Sequence, residues 1–160
     1  MGVSGCGKTT IGRLLAATLS WPLLEGDDFH SAANIAKMRA AMPLSDADRG
    51  PWLAAIARCM ADWHDSGTSG VVTCSALKRR YRDSLIGECG SARFIYLKGT
   101  REVIRSRHID RSHHFMSLDL LDSQFATLEE PGPDEPAMTV TVDPVPAAIV
   151  AEIFRQTAVL

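Results

Sequence analysis

An α/β fold, a mostly parallel sheet sandwiched by helices, is what this chain predicts, and three observations predict it. Helix and strand signals take turns along 160 residues, 46% of them hydrophobic, which suits one domain with a sizeable core. Residues Gly2-Val3-Ser4-Gly5-Cys6-Gly7-Lys8-Thr9 fit the pattern G-x-x-x-x-G-K-[ST] at every fixed position. An apolar helical stripe, Ile11, Leu14, Leu15 and Leu19, begins where that pattern requires a helix.

Taken in order, the elements start with a gap. A loop of this kind normally follows a buried β-strand, yet only Met1 precedes Gly2. Losing a buried strand leaves unpaired ladder groups and an apolar hole, so the expectation is that Met1 is an internal methionine of a longer natural product and that the first strand is truncated here. Pro22–Glu25, Val71–Cys74, Phe94–Leu97 and Met138–Val142 read as short strands. Residues 31–40 read as a helix, and Trp52, Ile56, Cys59, Met60 and Trp63 place an apolar stripe on a longer one. Further helices open after Thr100, carry Leu118, Leu121, Phe125 and Leu128, and close the chain with Val145, Ile149, Val150, Ile153 and Phe154. Such alternation implies right-handed crossovers and a ligand site at the carboxyl ends of the strands.

The motifs fall at those ends. Gly2, Gly5 and Gly7 permit turns in which successive backbone N–H groups surround nucleotide phosphates. Lys8 adds a compact positive charge, Thr9 offers a hydroxyl to Mg²⁺, and the helix after the loop presents its positive end to the same anion. Just past the first visible strand stands Glu25-Gly26-Asp27-Asp28-Phe29-His30. Phosphoryl transfer to an alcohol needs a group that positions the hydroxyl and accepts its proton, and Asp27 is the candidate for both roles. A solvated acidic turn is the competing reading.

Composition excludes other classes. A net charge of −2 and a pI near 6.2 argue against a nucleic-acid partner, and the local clusters at 78–82 and 98–111 suit small anions. Neither a signal-peptide pattern nor an apolar stretch long enough to span a bilayer occurs, so no membrane partner and a cytoplasmic location are expected. Cys6, Cys59, Cys74 and Cys89 lie far apart without a C-x-x-C pair, which favours free thiols over zinc or a disulfide framework.

The ordered words of the chain resemble the small bacterial-type gluconokinases, P-loop kinases that move the γ-phosphoryl of ATP to the terminal hydroxyl of D-gluconate. The likeness spans nearly the whole chain. It rests on the loop at Gly2–Thr9, G-D-x-x-H at Gly26–His30, N-x-x-K-M at Asn34–Met38 and P-L-x-D-x-D-R-x-P-W-L at Pro43–Leu53. C-S-A-L-K at Cys74–Lys78, Y-R-D at Tyr81–Asp83, F-I-Y-L-K-G at Phe94–Gly99 and Q-F-x-T-L-E-E-P at Gln124–Pro131 continue it. Glu25 stands where an Asp is commoner, and Ser31 replaces a usual Pro.

The resemblance implies ATP and Mg²⁺ as cofactors, a single P-loop kinase domain over 1–160 and a homodimer. ATP contacts are expected at Gly2, Val3, Ser4, Gly5, Cys6, Gly7, Lys8, Thr9 and Thr10, with Thr9 also the metal ligand. Gluconate, a carboxylate bearing hydroxyls, calls for cations and hydrogen-bonding groups, which Asp27, His30, Asn34, Arg49, Ser75, Lys78 and Arg82 supply. Arg49 has a second reading as a local salt bridge with Asp46 or Asp48, and Lys78 and Arg82 as solvated helix-start charges. A helical lid at about 105–117 is implied, with Arg107 and Arg111, four apart on one face, neutralising charge during transfer. Lys8, Asp27, Arg107 and Arg111 are thus the catalytic candidates. Val142-Asp143-Pro144 would meet adenine. Two alternatives stay open: another small-molecule kinase of this fold, for shikimate or a nucleoside monophosphate, and a non-catalytic nucleotide-binding remnant.

Overall fold

The computed structural model describes residues 1–89, 91–109 and 118–157. Their order is α1 (Lys8–Leu19), β1 (Leu23–Glu25), a 3₁₀ turn (Gly26–Phe29), α2 (Ala32–Arg39), α3 (Asp46–Asp65), β2 (Val71–Thr73), α4 (Arg79–Cys89), β3 (Phe94–Lys98), α5 (Arg101–Ile109), α6 (Leu118–Thr127), β4 (Ala137–Thr141) and α7 (Pro146–Thr157). The alternation read from the sequence is present, and the fold is α/β with a parallel arrangement flanked by helices.

The strands form two parallel pairs. Leu24 of β1 stands opposite Val72 of β2, and Tyr96 of β3 opposite Thr139 of β4. Among the described residues, Met1 and Gly2 lie between the pairs. Met1 donates its amino group to the Ile95 carbonyl and accepts from the Leu97 amide at 3.0 Å, a parallel-ladder pattern, while the Gly2 amide reaches Ser75 O at 3.1 Å. Residues 1 and 2 thus join the β2 and β3 edges at their carboxyl ends. Behind them a cavity of about 790 Å³ runs between the two edges, lined by Val71, Ile95, Leu15, Trp63, Met138 and others.

Apolar side chains fall into two clusters. Ile11, Leu15, Leu97, Ile104, Val140 and Ile153 join α1, α5 and α7 to β3 and β4. Leu24, Trp52, Leu53, Ile56, Tyr81 and Leu85 join α3 and α4 to β1. Helix α3 begins six residues before the apolar stripe that announces it, because Ser45 and Asp48 form a reciprocal capping box at its start. At the head of α2, Ser31 accepts from the Asn34 amide, so the Ser that departs from the family pattern serves as the cap. Among the described residues no helix is long and apolar enough to cross a membrane.

Candidate active site

The phosphate loop is built for an anion. Gly7 takes φ 101°, the left-handed region that a Cβ disfavours, and from there starts α1 with no side-chain cap and no acidic residue in the first turn. Those uncapped amides and the helix dipole face outward. Lys8 Nζ folds over the loop onto Gly2 O and Val3 O, both at 3.1 Å, which leaves one of its three N–H groups for a phosphate oxygen. Val3 and Cys6 are buried and anchor the loop in the core.

Thr9 Oγ1 donates to Glu25 Oε2 at 3.1 Å, and Thr73 Oγ1 donates to the same oxygen. With its proton turned toward Glu25, the Thr9 oxygen keeps its lone pairs for a cation. Glu25 Oε1 is buried without a hydrogen-bond partner, and Arg13 Nε stands 3.6 Å away. Among the described residues there is no group of three or more His, Cys, Asp or Glu arranged to hold a metal. A hydroxyl with free lone pairs beside a carboxylate fits Mg²⁺, which keeps waters and nucleotide phosphates as ligands and takes few from protein.

The acidic turn is fixed from below. A Cβ on Gly26 would stand 2.4 Å from Thr73 O, so only glycine allows this approach of the turn to β2. Trp52 Nε1 donates to Gly26 O at 2.7 Å from within the core. The next two residues, Asp27 and Asp28, are therefore exposed at the end of β1. His30 stacks on Trp52, ring centroids 4.4 Å apart and planes 15° from parallel, with Nδ1 buried and without a hydrogen-bond partner. Burial lowers the His30 pKa below its usual value, Arg49 acts in the same direction, and Asp27 opposes both.

Arg49 is presented by the α2–α3 corner. Asn34 is buried and donates Nδ2 to Asp48 O at 2.9 Å, and Lys37 pairs with Asp48 at 2.6 Å. Lys37 and Ser45 together hold the Asp48 carboxyl down at about 2. Asp46 accepts from Tyr81, Lys78 and Arg80, which keep its carboxyl well below the usual range. Both acids beside Arg49 are therefore engaged elsewhere. Arg49 Nε donates to Leu44 O at 3.4 Å and its guanidinium stands 6.0 Å from the Tyr81 ring, and among the described residues no carboxylate lies within ion-pair range of it.

A cavity of about 270 Å³ gathers Ser4, Lys8, Asp27, His30, Arg49, Ser75 and Gln124, with Met38, Met42 and Leu120 as an apolar wall. Six residues expected from the sequence to bind acceptor or phosphate thus meet: Ser4, Lys8, Asp27, His30, Arg49 and Ser75. Others do not. Asn34 braces the corner from behind, and Lys78 sits on Asp46 and over the Tyr81 ring. Arg82 is 1% exposed, pairs with Glu135 and donates to Ala76 O and Glu129 O at 3.1 and 2.9 Å. Its guanidinium is consumed inside the protein, so the expectation that it meets substrate is corrected: it anchors the start of α4 to the segment before β4. Arg107 donates to Val142 O, at the end of β4, and does not line the cleft. Arg111, His113, His114 and the rest of the stretch 110–117, expected from the sequence to form a lid, lie outside the described residues.

Sequence reasoning missed Trp52 and Gln124. Trp52 lies on the apolar stripe and reads as core, which it is; its hydrogen bond to the acidic turn has no local signal. Gln124 opens Q-F-x-T-L-E-E-P, and its side chain accepts from the Ser4 amide at 2.7 Å.

The family model described as shikimate kinase matches residues 4–128. The gluconokinase of Gluconobacter oxydans is 43% identical over 97% of this chain and 87% of its own length. Among solved structures, a gluconokinase from Sinorhizobium meliloti 1021 superposes with a TM-score of 0.90 at 42% identity, covering 99% of this chain and 89% of that one. An unliganded sugar kinase from Janibacter sp. HTCC2649 gives 0.93 at 44% identity, with 97% and 90% covered. Identity at this level over nearly the whole chain, on a phosphate loop that faces an acid and a cation across one cleft, shows that the chain belongs to the gluconokinase family.

Proposed function

We propose that this chain transfers the γ-phosphoryl group of ATP to the terminal hydroxyl of D-gluconate, giving 6-phospho-D-gluconate. The observation that supports the acceptor is Arg49, a cation lining the cleft whose neighbouring acids are engaged elsewhere, set beside Asp27 and His30. An Arg fork suits a carboxylate, and a neutral His suits a hydroxyl. With the acid end on Arg49, the polyol extends along Asp27 toward Lys8.

Asp27 accepts the hydroxyl proton as the new P–O bond forms, and the bond from the γ-phosphorus to the ADP oxygen breaks in line. Lys8 and the α1 amides hold the charge that develops on the phosphates. Bound Mg²⁺ would lie against Thr9, steadied by Glu25, and supply electrostatic neutralisation of the phosphates. Arg111 takes the phosphoryl oxygens in this reading, while Arg107, tied to Val142 O, serves the nucleotide side. A lid over about 105–117, a cytoplasmic location and a homodimer complete it; sedimentation velocity checks the last.

Coupled ADP release over a panel of sugar acids, sugars, shikimate and nucleoside monophosphates tests the reading. Turnover is expected with gluconate. Turnover with shikimate or a nucleotide instead would assign another acceptor, and none with any compound would leave a nucleotide-binding protein.

A further inference from the structure

We propose that Gln124 is a positioning residue for phosphoryl transfer, holding the acceptor end of the phosphate loop and the α6 wall of the cleft in one arrangement. The inference rests on the kinase reading above. Gln124 Oε1 accepts from the Ser4 amide at 2.7 Å across 120 positions of sequence, and both residues line the cavity that contains Lys8 and Asp27. The bonded amide therefore sits on the side of the loop that meets the acceptor.

Neighbours of Gln124 on both sides make the contact a rigid one. Leu121 is fully buried and Phe125 packs against the same core, with the Arg101 guanidinium 4.9 Å from its ring. Past the end of α6, the Glu129 amide donates to Leu77 O at 2.8 Å, and the Glu129 carboxylate accepts from the Arg79 amide at 2.7 Å. Glu130 then pairs with Lys98 at the end of β3. Residues 124–130 are thus tied to the phosphate loop, to the start of α4 and to the end of β3.

The choice of side chain has a physical reason. A loop amide left to solvent can rotate away from the geometry that the phosphates need, and an accepting oxygen fixes it. A carboxamide does this without net charge, whereas a carboxylate there would repel the triphosphate. Glutamine is long enough to reach Ser4 from a helix whose apolar face is held in the core.

Three variants test the inference. Gln124→Met keeps the length and removes the acceptor; gluconate kcat should fall about tenfold, the scale of one lost hydrogen bond, with ADP affinity within about twofold and Tm unchanged. Gln124→Asn, one methylene short, should lose kcat in the same way. Gln124→Glu keeps the bond, so kcat is largely retained, but KM for ATP rises severalfold. The Ser4 amide ¹⁵N resonance should move in the Met and Asn variants and stay near its original position in the Glu variant. Parent-like kcat in Gln124→Met, or a Ser4 resonance that does not move, would overturn the proposal. If the parent does not phosphorylate gluconate, the substrate reading fails, and the Ser4 resonance still decides the link to the loop.

Discussion

Two cavities reach Lys8, and they differ in kind. The larger, about 790 Å³, runs between the β2 and β3 edges and is walled by residues such as Leu15, Val71, Ile95 and Met138. The smaller, about 270 Å³, collects cations, an acid, an imidazole and a carboxamide from the phosphate loop, the end of β1, α3 and α6. Volume is set by the backbone: the β2 and β3 edges are not paired with each other, and the space between them stays open. Chemistry is set by convergence, because polar groups from distant parts of the chain meet only where several element ends point the same way. In the function proposed above, the smaller cavity is the site.

Asp27 in the smaller cavity carries the largest expected effect. Asp27→Asn should lower kcat by about 10²–10⁴, the range of general-base catalysis, while ADP affinity and Tm stay near the parent's. Parent-like turnover would remove the base from the mechanism. Next in size is Arg82, a cation of the interior. Arg82→Ala leaves Glu135 buried without its partner and should cost about 3–5 kcal/mol of stability in denaturant titration, with gluconate KM in the surviving native protein unchanged. A selective rise in that KM would return Arg82 to the substrate.

Arg49 carries the opposite expectation. Arg49→Ala should raise gluconate KM about 10- to 100-fold with ATP KM little changed, and Arg49→Lys should recover only part, since an ammonium cannot fork a carboxylate. Equal loss for both substrates would argue for a structural role. The larger cavity is tested by filling it. Gly12→Leu, from α1 into that space, should leave gluconate KM unchanged and alter Tm, which thermal melts would show. A selective change in gluconate KM would bring the larger cavity into the reaction.

The smallest effect is the pH response of His30. Burial lowers its pKa in the folded state, so the unfolded chain binds the proton more readily. The stabilisation is complete above about pH 6.5 and is lost as pH falls through the lowered folded value. Thermal melts should thus decline below about pH 6.5, and His30→Asn should flatten that part of the profile. A profile unchanged by the substitution would assign the decline to other groups.

Much of the molecule is legible in its sequence for local reasons. The phosphate loop is a contiguous word whose geometry depends on its own glycines, and Gly7 sits at the φ that the word requires. The strand and helix order comes from short-range periodicity, and the acidic turn comes directly after a strand. Arg49 is ambiguous in sequence, because nothing local says whether a cation between two acids pairs with them. Lys37, Lys78, Arg80 and Tyr81 settle it by taking the acids away. Arg82 resembles a surface charge for the same reason: its partner Glu135 is 53 residues further on.

Sequence alone therefore determined the anion-binding loop, the alternating α/β order and the candidate acid, since each depends on neighbours within a few positions. Tertiary structure alone decided which cations face the cleft, that Trp52 supports the turn bearing Asp27, and that Gln124 reaches the Ser4 amide. Those contacts join residues 11 to 120 positions apart, and only the packing of the elements sets which side chain arrives first.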